Sequence, residues 1–219
     1  TGVYGGPESG VYRSLDNGET WEKLKNGFPT KDVGRIGLAI SPVNTDVLYV
    51  IVDATDKDKG IYKSEDGGKS WKNMGLDSSD QIGGIAIDPN NSDIVYVAAY
   101  GSSRNAGGHR GIYKTVDGGK TWTNVLKISQ YTGCYQVHMD PRYSNILYAV
   151  AHQRMRNLYT GIYGGPESGI YRSLDYGMTW EKLKGGLPSE DVGRIGMAIS
   201  PVNPDYLFAV IEATEKNKG

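Results

Sequence analysis

A single cysteine, Cys134, stands in a chain of 219 residues. One thiol excludes an internal disulfide and a cysteine-rich metal cluster, so packing and hydrogen bonds must hold the fold. No apolar run approaches the ~20 residues of a membrane-spanning helix, and no signal-peptide pattern is present, so membrane insertion is not expected. Charge of one sign is lacking too: 24 basic and 25 acidic residues are interleaved, for a net charge of −1. That balance excludes a basic groove for nucleic acid and a polybasic membrane patch. The three histidines, His109, His138 and His152, have no close ligand spacing, and the acids of "DATDKDKG" (Asp56, Asp58) alternate with lysine. No metal or cofactor is expected. Sustained 3.6-residue apolar periodicity is also missing, which leaves almost no helix to expect.

What the chain does have is glycine, 31 residues, and tyrosine, 16 against two phenylalanines. Glycine supplies turns and tyrosine keeps one polar end on an apolar ring, a combination that suits a turn-rich β protein. The stretch "SLDNGETW" (14–21) returns as "SEDGGKSW" (64–71), "TVDGGKTW" (115–122) and "SLDYGMTW" (173–180). Spacings of about 50, 51 and 58 residues match one four-stranded propeller blade. Each interval holds an apolar segment ending in a Pro turn ("IGLAISPVNTD"), a β-rich run ("VLYVIVDA"), then "GIYKS", the box, and a short segment opening on Trp. These read as strands a, b, c and d.

The expected architecture is an all-β propeller of four-stranded antiparallel blades, about four blade equivalents in the chain. The phase divides residues 1–219 into a half-blade (1–34), three blades (35–80, 81–130, 131–190) and a second half-blade (191–219). The initial c-d and terminal a-b strands then complete one shared blade, within the chain or between chains, which removes exposed strand edges. A larger repeat lies above the blades: residues 1–60 align with 160–219 without gaps, at about 70% identity. Such a chain can be a cut from a longer propeller or an internal duplication.

Every fixed place in the box has a mechanical use. Asp16, Asp66, Asp117 and Asp175 are expected to accept backbone N–H groups about two residues on. Gly18, Gly68, Gly119 and Gly177 should supply a positive φ. Trp21, Trp71, Trp122 and Trp180 should open strand d, pack between blades and give their indole N–H to a carbonyl. With one fixed carboxylate per box, a calcium loop of six to eight oxygens is not expected.

The box resembles the Asp box, or BNR repeat, of sialidases, xyloglucanase-type glycosidases and sortilin-type propellers. The strings "GIYKTVDGGKTW", "GGPESGIYRSLDYGMTWEKL" and "DVGRIGMAISPVNPDYLFAVIEA" are most similar to bacterial sortilin-like BNR propeller proteins. The resemblance implies the propeller fold and leaves function open, because that fold hosts enzymes, receptors and assembly factors. Export to the extracellular space or periplasm is expected from the company such proteins keep.

In an up-and-down blade the a-b and c-d turns share one face, and the b-c and d-a loops share the other. Length variation falls on the second face, where binding groups usually sit. Arg35 and Arg194, read as lying just before strand a, join Arg104, Arg110, Arg154 and Arg156 as a cationic funnel for carboxylates or sulfated sugars, and His109 is a further ligand-binding candidate. With every Trp used by a box, Tyr100, Tyr131, Tyr135, Tyr159 and Tyr163 are the aromatic candidates. Glu8 and Glu167, in the repeated "GGPESG", join Asp32, Asp53, Asp80, Asp191 and Glu212 as loop-face acids. The expected function is a non-catalytic binding or scaffolding module that recognises a protein, peptide or carbohydrate. Its alternatives are a glycoside hydrolase or sialidase-like enzyme, which needs a carboxylate pair, and a fragment that assembles with further copies into a larger ring.

Overall fold

The computed structural model describes residues 5–6, 8–29, 33–54, 58–78, 81–102, 104–156 and 161–213; Asp32, Asp56, Asp80 and Tyr159 lie outside them. The described chain opens with an antiparallel hairpin of β1 (Val11–Arg13) and β2 (Glu22–Leu24). Strands β3 (Val33–Ile40), β4 (Leu48–Ala54), β5 (Gly60–Ser64) and β6 (Lys72–Asn73) then form an antiparallel sheet in chain order. A second such sheet holds β7 (Ile82–Asp88), β8 (Asn91–Ala99), β9 (Gly111–Thr115) and β10 (Thr123–Leu126). The third begins with β11 (Thr132–Met139) and β12 (Leu147–Gln153). It is interrupted by a small hairpin, β13 (Met155–Arg156) and β14 (Gly161–Ile162), and is completed by β15 (Gly169–Ser173) and β16 (Glu181–Lys182). β17 (Val192–Ile199) and β18 (Leu207–Ala213) pair with each other alone. The expected order c-d, three times a-b-c-d, then a-b is what forms. The β13–β14 hairpin, inside what reads as a plain b-c loop, is an addition. Among the described residues no helix is long and apolar enough to cross a membrane.

The core is a series of layers between successive blades. Val11, Leu24 and Phe28 of the first half-blade meet Leu48, Val50, Val52, Tyr62 and Trp71. The other face of that sheet, Tyr49, Ile51 and Ile61, meets Val95, Val97 and Tyr113. Tyr96, Ala98 and Ile112 continue onto Val137, Leu147 and Ala149, and Tyr148, Val150 and Ile170 onto Val192, Ile195 and Met197. Blades cover strand b on both sides, which is why "LYVIVDA" needs no apolar-polar alternation and is almost wholly buried. Tyr49 and Tyr96 show the value of a polar-ended ring there: each is fully buried, and each hydroxyl reaches a carbonyl of the next blade, Ser92 at 3.1 Å and Tyr176 at 2.9 Å. Among the described residues β1 pairs only with β2 and β18 only with β17, so the split blade is not closed between them.

The four boxes are the same corner four times. The leading hydroxyl (Ser14, Ser64, Thr115, Ser173) accepts the N–H of the box glycine at 2.8–2.9 Å and donates to the aspartate. The aspartate accepts the N–H four residues on, Thr20, Ser70, Thr121 or Thr179, at 2.8–2.9 Å, and that residue's hydroxyl on its other oxygen. The two-residue reach expected of the aspartate is therefore corrected to four. The cause is a pair of consecutive positive φ values, Asn17 at 58° and Gly18 at 93° in the first box and Tyr176 at 60° and Gly177 at 82° in the last, which curls the chain back on itself. These bonds hold the Asp16, Asp66 and Asp175 carboxyls down to about 2, and Asp117 lower still, the threonine or serine hydroxyl being the main cause. Three indoles find carbonyls: Trp21 on Gly18, Trp180 on Gly177, and Trp122 on Met74 of the preceding blade. The buried indole N–H of Trp71 finds none.

Candidate functional site

Each innermost strand breaks register near its start: between Val33 and Ile36, Ile82 and Gly84, Cys134 and Gln136, and Val192 and Ile195. A β-bulge of this kind leaves a residue without a partner in the ladder and re-aims it. Arg35, Gly83, Tyr135 and Arg194 stand at these four places, and all four line one groove of about 590 Å³. Gln136, Ile195, Gly196, Val210, Ile211 and Glu212 complete its walls. Arg35 and Arg194 thus lie inside β3 and β17, a correction to their placing ahead of strand a, because the bulge lets the ladder begin two residues earlier. Gly83 has a steric duty: a Cβ there would run into the backbone of Tyr135 in the next blade.

Arg35, Gly83, Tyr135 and Arg194 also border a smaller cavity of about 70 Å³, shared with Gln81, Tyr100, His152 and Arg154. Three arginines from three different blades therefore converge there. Among the described residues none of the three is ion-paired with a carboxylate. The Arg154 Nε is buried without a hydrogen-bond partner. The Arg194 guanidinium lies 5.9 Å from the centre of the Tyr135 ring and that of Arg154 6.0 Å from Tyr163, both cation–π distances, and Arg154 also meets the Tyr100 hydroxyl. Glu212 is the acid of the larger groove, and its carboxylate accepts the backbone N–H of Arg194 at 3.2 Å. The Tyr135 hydroxyl donates to the Ile195 carbonyl and accepts the Ile195 N–H, clipping β11 to β17, and burial pushes it up to about 12.

His152 is held in one tautomer. Its Nε2 faces the Tyr163 carbonyl at 3.0 Å, an acceptor only, so Nε2 carries the proton and Nδ1 accepts from the Tyr100 hydroxyl at 3.0 Å. Burial pulls its pKa below the usual histidine value, and the Arg154 and Arg194 charges add to the effect. The ring is therefore a neutral wall, 5.9 Å from Tyr100 in a stacked arrangement. His152 and Gln81 were not among the sequence candidates; the available signal was position, one at the loop-face end of strand b and the other just ahead of strand a.

The remaining candidates do not join this cluster. Arg110 is buried, and its guanidinium donates to the carbonyls of Tyr100, Ser102, Asn105, Gly107 and Tyr131, so it organises the 100–110 loop instead of facing a ligand. The loop wraps its carbonyls around the only side chain able to serve five of them. Arg104 stays on the exposed turn of that loop and Arg156 on β13. Tyr131 contributes its carbonyl to Arg110 and Arg154. His109 accepts the Ser78 N–H at 3.2 Å and meets Tyr113 edge-on. Glu167 takes the hydroxyls of Ser129 and Thr132, while Glu8, its counterpart in the 159-residue repeat, is exposed beside Tyr12. His138 lies half-buried in β11 with Nε2 unpartnered, and burial pulls its pKa down. Cys134 is buried, which pushes its thiol well up.

Comparison with known proteins bears on the fold and the family. A xyloglucanase from a Paenibacillus species is 27% identical over 201 residues, spanning 80% of this chain and 19% of that protein. The vacuolar protein sorting/targeting protein 10 of Fusarium vanettenii is 39% identical over 64 residues, 29% of this chain and 4% of that one. The chain thus spans less than a fifth of either relative. Among solved structures, an ancestral GH74 enzyme superposes with a TM-score of 0.65 at 24% identity, over 92% of this chain and 24% of that one. The GH74 xyloglucanase of Xanthomonas campestris gives 0.62 at 20% identity, over 92% and 32%. Identities this low speak for the fold alone. The family model described as "Sortilin, neurotensin receptor 3" matches residues 9–160, well over half of the sequence, and the chain belongs to this sortilin-Vps10 family.

Proposed function

We propose that the chain is an arc of a non-catalytic binding propeller whose b-c/d-a face takes a carboxylate group of a protein or peptide ligand. The observation that carries this reading is the convergence of Arg35, Arg154 and Arg194 on one cavity with no ion-paired carboxylate among the described residues. A guanidinium fork matches a carboxylate bidentately, and converging arginines without a carboxylate partner favour an incoming anion. Tyr135, Tyr100 and neutral His152 supply apolar walls with fixed polar ends, the usual make-up of a specific pocket. The family's description names a receptor, in keeping with a binding role. The names of the matched relatives, a vacuolar sorting protein and a xyloglucanase, accord with a luminal or extracellular setting.

The enzyme reading rests on the xyloglucanase likeness across most of the chain. Two carboxyl groups about 5 to 9.5 Å apart are needed for glycoside hydrolysis, whereas Glu212 is the single acid lining the larger groove among the described residues. Hydrolysis in this groove would therefore require a second carboxylate from outside its described lining.

Calorimetric titration separates the readings. A short peptide with a free C-terminal carboxylate should bind, its C-terminal amide at least about tenfold more weakly, and Arg35→Ala/Arg194→Ala should remove the difference. Equal binding of acid and amide, or release of reducing sugar from xyloglucan by this chain, would reject the proposal.

A further inference from the structure

The arginine cavity also contains the Tyr100 hydroxyl and the His152 ring. Both residues are buried, their rings stack, and the Tyr135 ring stands edge-on to each. A tyrosine hydroxyl has one hydrogen and two lone pairs, whereas an imidazole nitrogen either donates or accepts. With His152 neutral, the Tyr100 hydrogen goes to Nδ1 at 3.0 Å, and the Tyr100 oxygen accepts from Arg154. The Tyr163 carbonyl on Nε2 fixes that arrangement, so the hydroxyl has no hydrogen left to give to a ligand.

A proton added to His152 reverses this. Nδ1 becomes a donor, and the Tyr100 oxygen accepts from both Nδ1–H and Arg154, which fills its two lone pairs. The Tyr100 hydrogen then turns away from the ring and needs an acceptor, because a buried donor without one is costly. A carboxylate oxygen held by the arginines is such an acceptor. Electrostatics point the same way. The described charged and titratable groups around the ring are Tyr100, Tyr135 of β11, Arg35 of β3, Arg154, Arg194 of β17 and Glu212 of β18. Burial, helped by the Arg154 and Arg194 charges and opposed by Glu212, keeps the ring neutral. An anion among the guanidiniums offsets their charge, so the ring holds a proton more readily when one is bound.

We propose that a carboxylate enters this cavity together with one proton, which His152 takes at Nδ1 while the Tyr100 hydroxyl swings from His152 to the ligand. This coupling rests on the arginines receiving a carboxylate, as proposed above. The incoming proton is drawn from solvent, the Tyr100 proton stays on its own oxygen, and Nδ1–H is the one covalent bond formed. Linkage gives the sign. The ligand-bound protein holds more protons than the free protein, so affinity increases as pH falls through the range in which His152 titrates. Tyr100 is thereby a ligand-binding donor at acidic pH and a partner of His152 at neutral pH.

The test is calorimetric titration of the 219-residue chain with an N-acetylated peptide that has no ionisable side chain and a free C-terminal carboxylate, a group that stays ionised above about pH 5. Titrations between about pH 7.5 and pH 5.5, each in two buffers of different ionisation enthalpy, read both affinity and proton uptake. Affinity should rise at least about threefold over that interval, with net proton uptake on binding. His152→Gln can still accept from Tyr100 and donate to Tyr163 but cannot take a proton, so its uptake should vanish. Tyr100→Phe should lose more affinity at the acidic end than at the neutral end. Circular dichroism at both ends checks each variant's fold, and the wild-type uptake decides alone if a variant misfolds. Binding without proton uptake, affinity that is level or falls with acidity, uptake that persists in His152→Gln, or an equal loss at both ends in Tyr100→Phe overturns the coupling and leaves the carboxylate reading standing. Equal binding of the peptide and its C-terminal amide at every pH removes both.

Discussion

The rings of Phe28 and Trp71 meet edge to face, centroids 5.7 Å apart, across the layer between the first half-blade and the first complete blade. Trp71 and Trp21 hold the same place in successive boxes, yet Trp71 is buried in that layer and Trp21 is largely exposed. Trp71→Ala should cost about 3–5 kcal/mol through lost burial and a residual cavity. Trp21→Ala should cost under about 1 kcal/mol. Urea unfolding of the two variants checks this, and equal losses would show that the box position, not the layer, sets the energy.

Two depressed histidines give the protein a pH dependence above the carboxylate range. His152 and His138 stay neutral in the fold, whereas the unfolded chain protonates them near 6.5. The unfolded state then binds more protons, so their contribution is complete above about pH 6.5 and is lost as pH falls toward the folded values. The box aspartates, held down from 3.8, act in a separate window below that value. The urea midpoint should drop between about pH 7.5 and pH 5, and His152→Gln with His138→Gln should flatten the drop. A midpoint that holds steady or rises over this interval contradicts the assignment.

Arg110 should behave as part of the scaffold. Arg110→Lys keeps the charge but cannot reach five carbonyls, and should cost about 2 kcal/mol or more. Proteolysis within the 100–110 loop should accelerate in the variant. Unchanged stability together with weaker anion binding would return Arg110 to the ligand face.

The blade plan was legible because it is written in local chemistry. Asp16, Gly18 and their repeats mark a corner whose bonds span four residues, and the apolar runs between them can only be strands. The site was legible in part. Arg35, Arg194, Arg154 and Tyr135 stand out as loop-face charge and aromatic residues, but their convergence depends on where four ladders slip, and register is a relation between strands. Arg110 reads like the other arginines because loop carbonyls leave no trace in a side-chain pattern. His152 was missed for the opposite reason: it sits within an apolar strand, and only the Tyr100 hydroxyl and the Tyr163 carbonyl give it its character.

The bulges separate what the groove wall displays from what holds the blades together. A residue at a bulge has no cross-strand neighbour to satisfy, so exchanging Arg35 or Arg194 should change what the groove displays while the surrounding ladder keeps its bonds. Gly83 and Tyr135 are the exceptions, the first fixed by the backbone of Tyr135 and the second by its hydroxyl's bonds to Ile195. Repetition of the blade therefore supplies exchangeable display positions beside fixed ones, and the chemistry of this wall can change without a new fold.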